Sequence, residues 1–455
     1  MGDRDVTAPT APPPARQGGA PLDTRPGRVG ELRELTRTTP GTLIVFTIAL
    51  VLVSVLVGLF TAVRVQGRAQ ALDDLSARSG PLSIAAQDLY RSLSDADATA
   101  NSAFLFEGLE PQDVRSRYES DIAQAESALA LAVAAREPAD LADPDSALAV
   151  LSREMSVYTG LVETARANNR QGLPVGAAYQ REASTLMRDE LLPAAERLYT
   201  DETSALRDDQ DRAAGLPVVE IVLAAVLLVL LFFAQRYLRR RTRRRLNTGL
   251  LVATGAAVVS LAWVLIATFG VMANVNASQE NGSEQTDVLA RARITALAAR
   301  GDETLTLVAR GNGDAYEKDY QKATRELALA DSGLLSQARA LATDGTVLDR
   351  VTDAADAQLA WAEVHGQIRA ADDGGDYVTA VDLAVLPGDE GAATKFDAVD
   401  NSLRQAIAAT TTSFEDEVSQ ADNALTGLVI GVILLALVAA AGAAAGIWQR
   451  LKEYR

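Results

Sequence analysis

The sequence predicts an all-α integral membrane protein. It should have four transmembrane helices and two extracytoplasmic antiparallel four-helix bundles, built as an internal duplication. Three observations carry this: four long apolar runs, helical spacing of apolar residues between them, and the recurrence of one order of elements in both halves.

The apolar runs are residues 42–63, 217–235 (with Glu220 alone near its start), 250–273 and 425–448. Each is close to the ~20 residues that cross a ~30 Å hydrocarbon core as a helix. Orientation follows from Arg and Lys near the span ends. Between the second and third runs, seven of the ten residues 236–245 are Arg. Between two spans this is a topological signal rather than a nucleic-acid patch. The amino-terminal stretch holds six Arg, and Arg450, Lys452 and Arg455 follow the last run. All three segments are therefore expected in the cytoplasm, at the cell membrane. Residues 1–41, rich in Pro, Gly, Ala and Thr, should form a disordered cytoplasmic tail. About 40 residues precede the first run, which is long for a signal peptide and points to a retained anchor. Residues 236–249 form an Arg-rich cytoplasmic loop and residues 449–455 a second cytoplasmic tail.

Residues 64–216 and 274–424 then lie outside. Residues 67–215 carry 14 basic and 26 acidic side chains, and residues 274–424 carry 12 and 27. The acidity behind the net charge of -17 on 455 residues is thus expected outside the cell. Both segments are dense in Ala, Leu, Glu, Asp and Arg, which favours helix. Four stripes at three- and four-residue spacing run through the first segment. Examples are Leu89 with Leu93, Ile122 with Leu129, Leu151 with Met155 and Tyr158, and Leu191 with Leu198. Gly and Pro separate the stripes at 107–111, 137–144 and 172–174. The outer two of the four helices should continue into spans. In the second segment the breakers are 310–314, 343–345 and 372–376. A displacement of about 203 residues places Tyr158 on Trp361 and Arg166 on Arg369. Pro387 within 386–391 should kink the last helix.

The chemistry is sparse. There is no cysteine and one histidine, His365. Thiol enzymes and zinc–thiolate sites are excluded, and no phosphate loop, nucleophile elbow or dinucleotide fingerprint is present. No enzyme, cofactor or metal site is expected. Overall acidity argues against nucleic acid. His365 on a helix reads as structural, and Asp372, Asp373 and Asp376 as a solvated turn. A transporter needs ionisable groups at mid-membrane depth; Glu220, near the outer interface, is inexpensive there. Gly427 with Gly431, and Gly442 with Gly446, put small residues four apart for close helix packing in lipid.

The outer unit resembles the four-helix-bundle sensor modules of bacterial chemoreceptors and histidine kinases. The likeness lies in Tyr179-Gln-Arg-Glu-Ala-Ser-Thr-Leu-Met-Arg188, then Leu191-Leu-Pro-Ala-Ala195 and Leu198-Tyr199. Such receptors carry a HAMP linker and an output domain; neither is expected in these 455 residues, so a signal would leave through a partner. The whole arrangement is similar to the GlnX membrane protein family of actinobacteria. That resemblance implies an extracytoplasmic solute-binding lipoprotein outside, reporting aspartate or glutamate, and a cytoplasmic Ser/Thr protein kinase inside. It pins no functional residue.

The expected function is non-enzymatic transmembrane signal transduction. The outer contact is expected at the bundle tips, with Glu107, Glu110, Asn168, Asn169 and Arg170 in the first and Asn312, Asp314, Asp372 and Asp373 in the second. The inner contact is expected at Arg239, Arg240, Arg241, Arg243, Arg244 and Arg245, where anionic membrane lipid is the alternative partner. A homo-oligomer is left open. The rival functions are an envelope scaffold and a direct small-molecule receptor.

Overall fold

The computed structural model describes residues 39–106, 109–135, 143–242, 247–330, 332–385, 388 and 390–452, which form helices and their connections without a strand. Residues 1–38, Glu107, Arg243, Arg244 and Arg245 lie outside the described residues, as does the side chain of Arg241.

Two helices run unbroken from a helical module into an apolar span. The first is α1 (Thr39–Asp74), which passes through one π turn, Leu75–Ser79, into α2 (Gly80–Phe104). The second is α8 (Thr248–Ser278), which passes through the π turn Gln279–Ser283 into α9 (Glu284–Val308). In each turn a hydrogen bond skips five residues, from Gly80 N–H to Leu75 O and from Glu284 N–H to Gln279 O. A π turn inside an α-helix widens it by one residue and is frequent at functional sites. Phe414 lies against Gly80, the residue after the first turn, and Gly282, inside the second.

The other two spans are entered through breaks. Pro217, which cannot donate a backbone hydrogen bond, separates α6 (Leu192–Ala214) from α7 (Val218–Thr242). Gly427, at φ +76°, separates α14 (Ala392–Leu425) from α15 (Leu428–Lys452). Smooth continuation from module to span, expected for both outer helices of the first module, therefore holds for the first span and not for the second.

Four helices are long and apolar enough to cross a membrane. They form a closed base in which α15 and α7 each pack against both α1 and α8. Their outward faces are apolar: Leu56, Ile266 and Ile430 are 61%, 73% and 66% exposed. In water such a band would be costly, so lipid is the medium that fits it. Asn247 caps α8 by accepting from Gly249 N–H at 3.1 Å, and its amide reaches Gly446 O at 2.8 Å. There α8 and α15 approach closely, because Gly442 and Gly446 face Gly249. Gly431 makes room for the Trp263 ring. Gly427 does not serve packing: nothing lies within 4 Å of where its Cβ would be, and its role is the left-handed turn that ends α14.

The first module is α2, α3 (Gln112–Ala134), α4 (Ala147–Arg170) and α5 (Val175–Leu186), the last continuing through a π turn at Met187–Leu191 into α6. The four stripes meet in one core holding Leu93, Ile122, Leu151, Tyr158, Met187 and Leu198. The second module is α9, α10 (Asp314–Leu327), α11 (Leu334–Leu341), α12 (Gly345–Asp373), α13 (Tyr377–Val385) and α14. Its core surrounds Trp361, with Tyr320 and Phe396 edge-on at 5.6 and 5.4 Å. The last helix is interrupted between Val385 and Ala392, where Pro387 was expected to kink it. The second helix of this module is also divided, into α10 and α11, an interruption not foreseen. The modules adjoin through α2 and α9, the two unbroken helices.

The α8–α15 contact has a direct test. A Cβ on Gly442 would fall 2.8 Å from Gly249 O, whereas one on Gly255 meets nothing within 4 Å. Overpacking of this kind costs about 1–3 kcal/mol. Gly442→Ala should lower the melting temperature of the detergent-solubilised protein by several degrees, and Gly255→Ala should leave it unchanged.

Candidate functional site between the two helical modules

A polar cavity of about 700 Å³ lies where the modules meet. One wall is α2 and α3, the other α9 and α14. A second cavity of about 480 Å³ adjoins it and shares Asp95, Arg117 and Asp397. Arg117 is the strut between the walls, donating to Asp95 at 3.1 Å on its own module and to Asp397 at 3.0 Å on the other. Deeper in the second wall, Arg293 makes a two-pronged pair with Asp400 at 2.5 and 2.9 Å, both side chains buried. Arg91 donates to Asp88 at 3.3 Å and Gln124 at 2.8 Å.

Asp121 differs from its neighbours. It is only 5% exposed, and its Oδ2 has no hydrogen-bond partner. Burial, followed by the charge of Asp95, pushes its carboxyl up to about 7 against the pull of Arg117 and Arg91. Burial also raises Asp95, offset by Arg117. A buried carboxyl oxygen without a partner is costly.

Each module also holds a buried polar cluster on its axis. In the first, Asp97 accepts from Ser184 at 2.9 Å, Asn101 at 3.1 Å and Tyr158 at 3.3 Å. Complete burial raises its pKa, opposed first by the charge of Arg188. In the second, Glu303 pairs with Arg300, accepts from Trp361 at 3.1 Å and meets His365 Nδ1 at 3.0 Å. His365 Nε2 lies 3.1 Å from Glu317, and Tyr320 stacks on the imidazole at 3.6 Å. Among the described residues no cluster of three or more His, Asp and Glu is disposed to hold a metal ion. Between the modules, Arg188 meets Asp302 at 2.6 Å, and Tyr199 donates to Asp287 at 2.5 Å.

The junction with the apolar base is charged as well. Arg68, 6% exposed, donates from α1 to Thr268 on α8 at 2.9 Å and to Gly215 O at 2.5 Å. Glu220 was expected at the outer interface. It does sit at the module end of α7, but turned inward: it is 3% exposed, pairs with Arg64 at 3.4 Å and lines a small cavity bounded by all four span helices. Of the acidic run 208–211, Asp208 and Asp211 are exposed, whereas Asp209 and Gln210 are buried.

The expected tip residues are spread over two ends. Glu110 is engaged by Arg115 at 3.3 Å and Arg166 at 3.1 Å. Asn168 and Asn169 donate to backbone carbonyls of Thr164 and Phe104, and Arg170 is exposed. Asn312 and Asp314 are exposed, while Asp372 and Asp373 both accept from Arg369. Arg239 and Arg240 are exposed at the far end of α7. None of these lines the cleft. Asp95, Arg117, Asp121, Arg293 and Asp400 were not singled out from sequence. One signal was available: Asp97 falls four residues after Leu93 and three before Ala100, inside the apolar stripe.

Residues 71–211 match the family of the actinobacterial sensor domain. That stretch runs from the end of α1 nearly to the end of α6, so the cleft's first wall lies within the matched residues. With the four apolar helices, the match supports an actinobacterial transmembrane sensor. No curated protein matches the chain. No solved structure matches it either.

The His365 cluster makes stability depend on pH. Burial disfavours the imidazolium, but hydrogen bonds to Glu303 and Glu317 outweigh it and raise the His365 pKa. The stabilisation is therefore complete below the ordinary imidazole pKa of about 6.5 and is lost as pH rises through the raised value. The difference in melting temperature between the parent and His365→Gln should be largest near pH 6 and should shrink steadily on going to pH 9. A constant difference would show that His365 stays neutral.

Proposed function

We propose that the chain is a non-enzymatic transmembrane signal transducer that passes an extracytoplasmic nutrient signal to a cytoplasmic protein kinase. The observation that carries this reading is the pair of unbroken helices. α1–α2 and α8–α9 each connect a module to the base as one rod, and they touch in the modules. A ligand or partner that prefers one packing of α2 against α9 biases the position of α1 and α8. Couplings of this kind are typically worth about 1–3 kcal/mol.

In this reading the modules lie outside the cell, and both termini and the Arg-rich loop lie inside. The two modules derive from one duplicated unit, which fits the π turns at Leu75–Ser79 and Gln279–Ser283. It also fits Tyr158 and Trp361, which hold a buried carboxylate in each core. The similarity to the GlnX family supplies the partners: a solute-binding lipoprotein at the tips and a Ser/Thr protein kinase at the Arg-rich loop. The lipoprotein would engage Glu110, Asn168 to Arg170, Asn312, Asp314, Asp372 and Asp373. The exposed Arg239 and Arg240 would face the kinase or anionic lipid.

Crosslinking in intact cells followed by purification of the full-length protein should recover both a solute-binding lipoprotein and a cytoplasmic kinase. Arg239→Ala with Arg240→Ala should reduce kinase recovery several-fold while leaving the lipoprotein in place. Recovery of wall or division proteins alone would replace the transducer with a scaffold.

A further inference from the structure

The cleft between the modules has the size of a small-molecule site, about 700 Å³ within the ~300–1,000 Å³ range typical of such sites. Its charges are nearly matched internally. Arg117 serves Asp95 and Asp397, and Arg293 serves Asp400. Asp121 stands apart: it is only 5% exposed, and its Oδ2 has no donor. Arg91, Arg117 and Arg293 donate to other groups of the cleft and Arg404 donates to Asn401, so none of the four donates to Asp121 Oδ2, and a cationic donor carried by a solute would.

An ammonium group suits the unpartnered Asp121 oxygen better than a guanidinium or a metal ion. It is compact, and it carries three hydrogens in a tetrahedral fan. Ser120 and Gln124 lie on the same helix as Asp121 and line the same cleft, so acceptors accompany the carboxylate. A metal ion would want several ligands converging on one point, and no such group exists among the described residues. Transfer of an ammonium beside a buried carboxylate is favourable only when the pair is closely formed and further hydrogen bonded, which the depth of Asp121 and the polar lining permit.

We propose that this cleft binds a small solute through its primary ammonium group, with Asp121 as the counter-charge. The inference goes beyond the partner-mediated relay, because here the chain itself contacts a solute. It also has a structural consequence. The walls are α2 with α3 and α9 with α14, so an occupant would set the separation of the two unbroken helices directly.

The test is isothermal titration of the full-length protein in lipid nanodiscs with putrescine, L-lysine, glycine and choline. Saturable binding by at least one of the three primary amines is expected. It should weaken at least tenfold in Asp121→Asn, and choline, which lacks N–H donors, should not bind. Ser120→Trp alters no ion pair and narrows the cleft, and it should also abolish binding. Absence of saturable binding by all three amines, equal binding in Asp121→Asn, or equal binding of choline would each overturn the proposal. Failure here leaves the relay with its partners intact, and failure to recover those partners leaves this binding intact.

Discussion

The Arg68 guanidinium ties together the parts on which the rest of the structure depends. It sits where modules become spans and binds Thr268 on the second unbroken helix and Gly215 at the break before α7. One side chain thus links both rods and the hinge between α6 and α7. Arg64 beside it satisfies one oxygen of the inward-facing Glu220, whose other oxygen stays unpartnered. Arg68 and Glu220 are buried while Arg64 stays half exposed, so the groups that satisfy the two buried side chains keep their polar atoms from being stranded away from water. The Arg68–Thr268 hydrogen bond thus ties α1 to α8 where both leave the modules.

The contact between modules is made differently from the contact within them. Each module closes over an apolar core, Leu- and Ala-rich in the first and centred on Trp361 in the second. Between them polar links (Arg117 with Asp397, Arg188 with Asp302, Tyr199 with Asp287) stand beside one apolar contact, where Leu105 of the first module enters the core of the second. Apolar cores pack in discrete, close-packed arrangements. Partly solvated ion pairs exchange partners at small cost. Rigid units joined by an adjustable seam are what a transmitted displacement requires. The paired π turns beside Phe414 lie directly below this seam, where the two rods lead into the base.

Much of the fold is written in periodicity. The apolar runs are spans because no charge interrupts them, and the stripes through Leu93, Ile122, Leu151 and Leu191 are the first module's core. Gly and Pro at 172–174 mark a real interruption, and the last helix of the second module is divided between Val385 and Ala392, although Pro387 itself lies outside the described residues. The site was less legible. Asp121 follows an exposed Ser and precedes the core residue Ile122, so its rotation on the helix decides between water and burial. Arg117 gains its meaning from Asp397, 280 residues away. Glu220 was placed at the right end of its helix, but hydropathy carries no azimuth, and only packing turns it inward. The role of Gly427 was likewise set by its φ, not by its spacing to Gly431.

The central claim is that displacement between the modules is carried into the spans by the two unbroken helices. The chain has no cysteine, so spin labels can be placed without background. The decisive measurement is the electron-electron distance between labels at Ile48→Cys and Val252→Cys, exposed positions toward the far ends of α1 and α8, in nanodiscs, with and without Arg117→Ala. Loss of the strut should shift that distance by about 1–2 Å, the scale of helix shifts in switching proteins. It should move together with the distance between labels at Gln124→Cys and Asn401→Cys across the cleft. A change across the cleft with an unchanged distance between the spans would contradict the account.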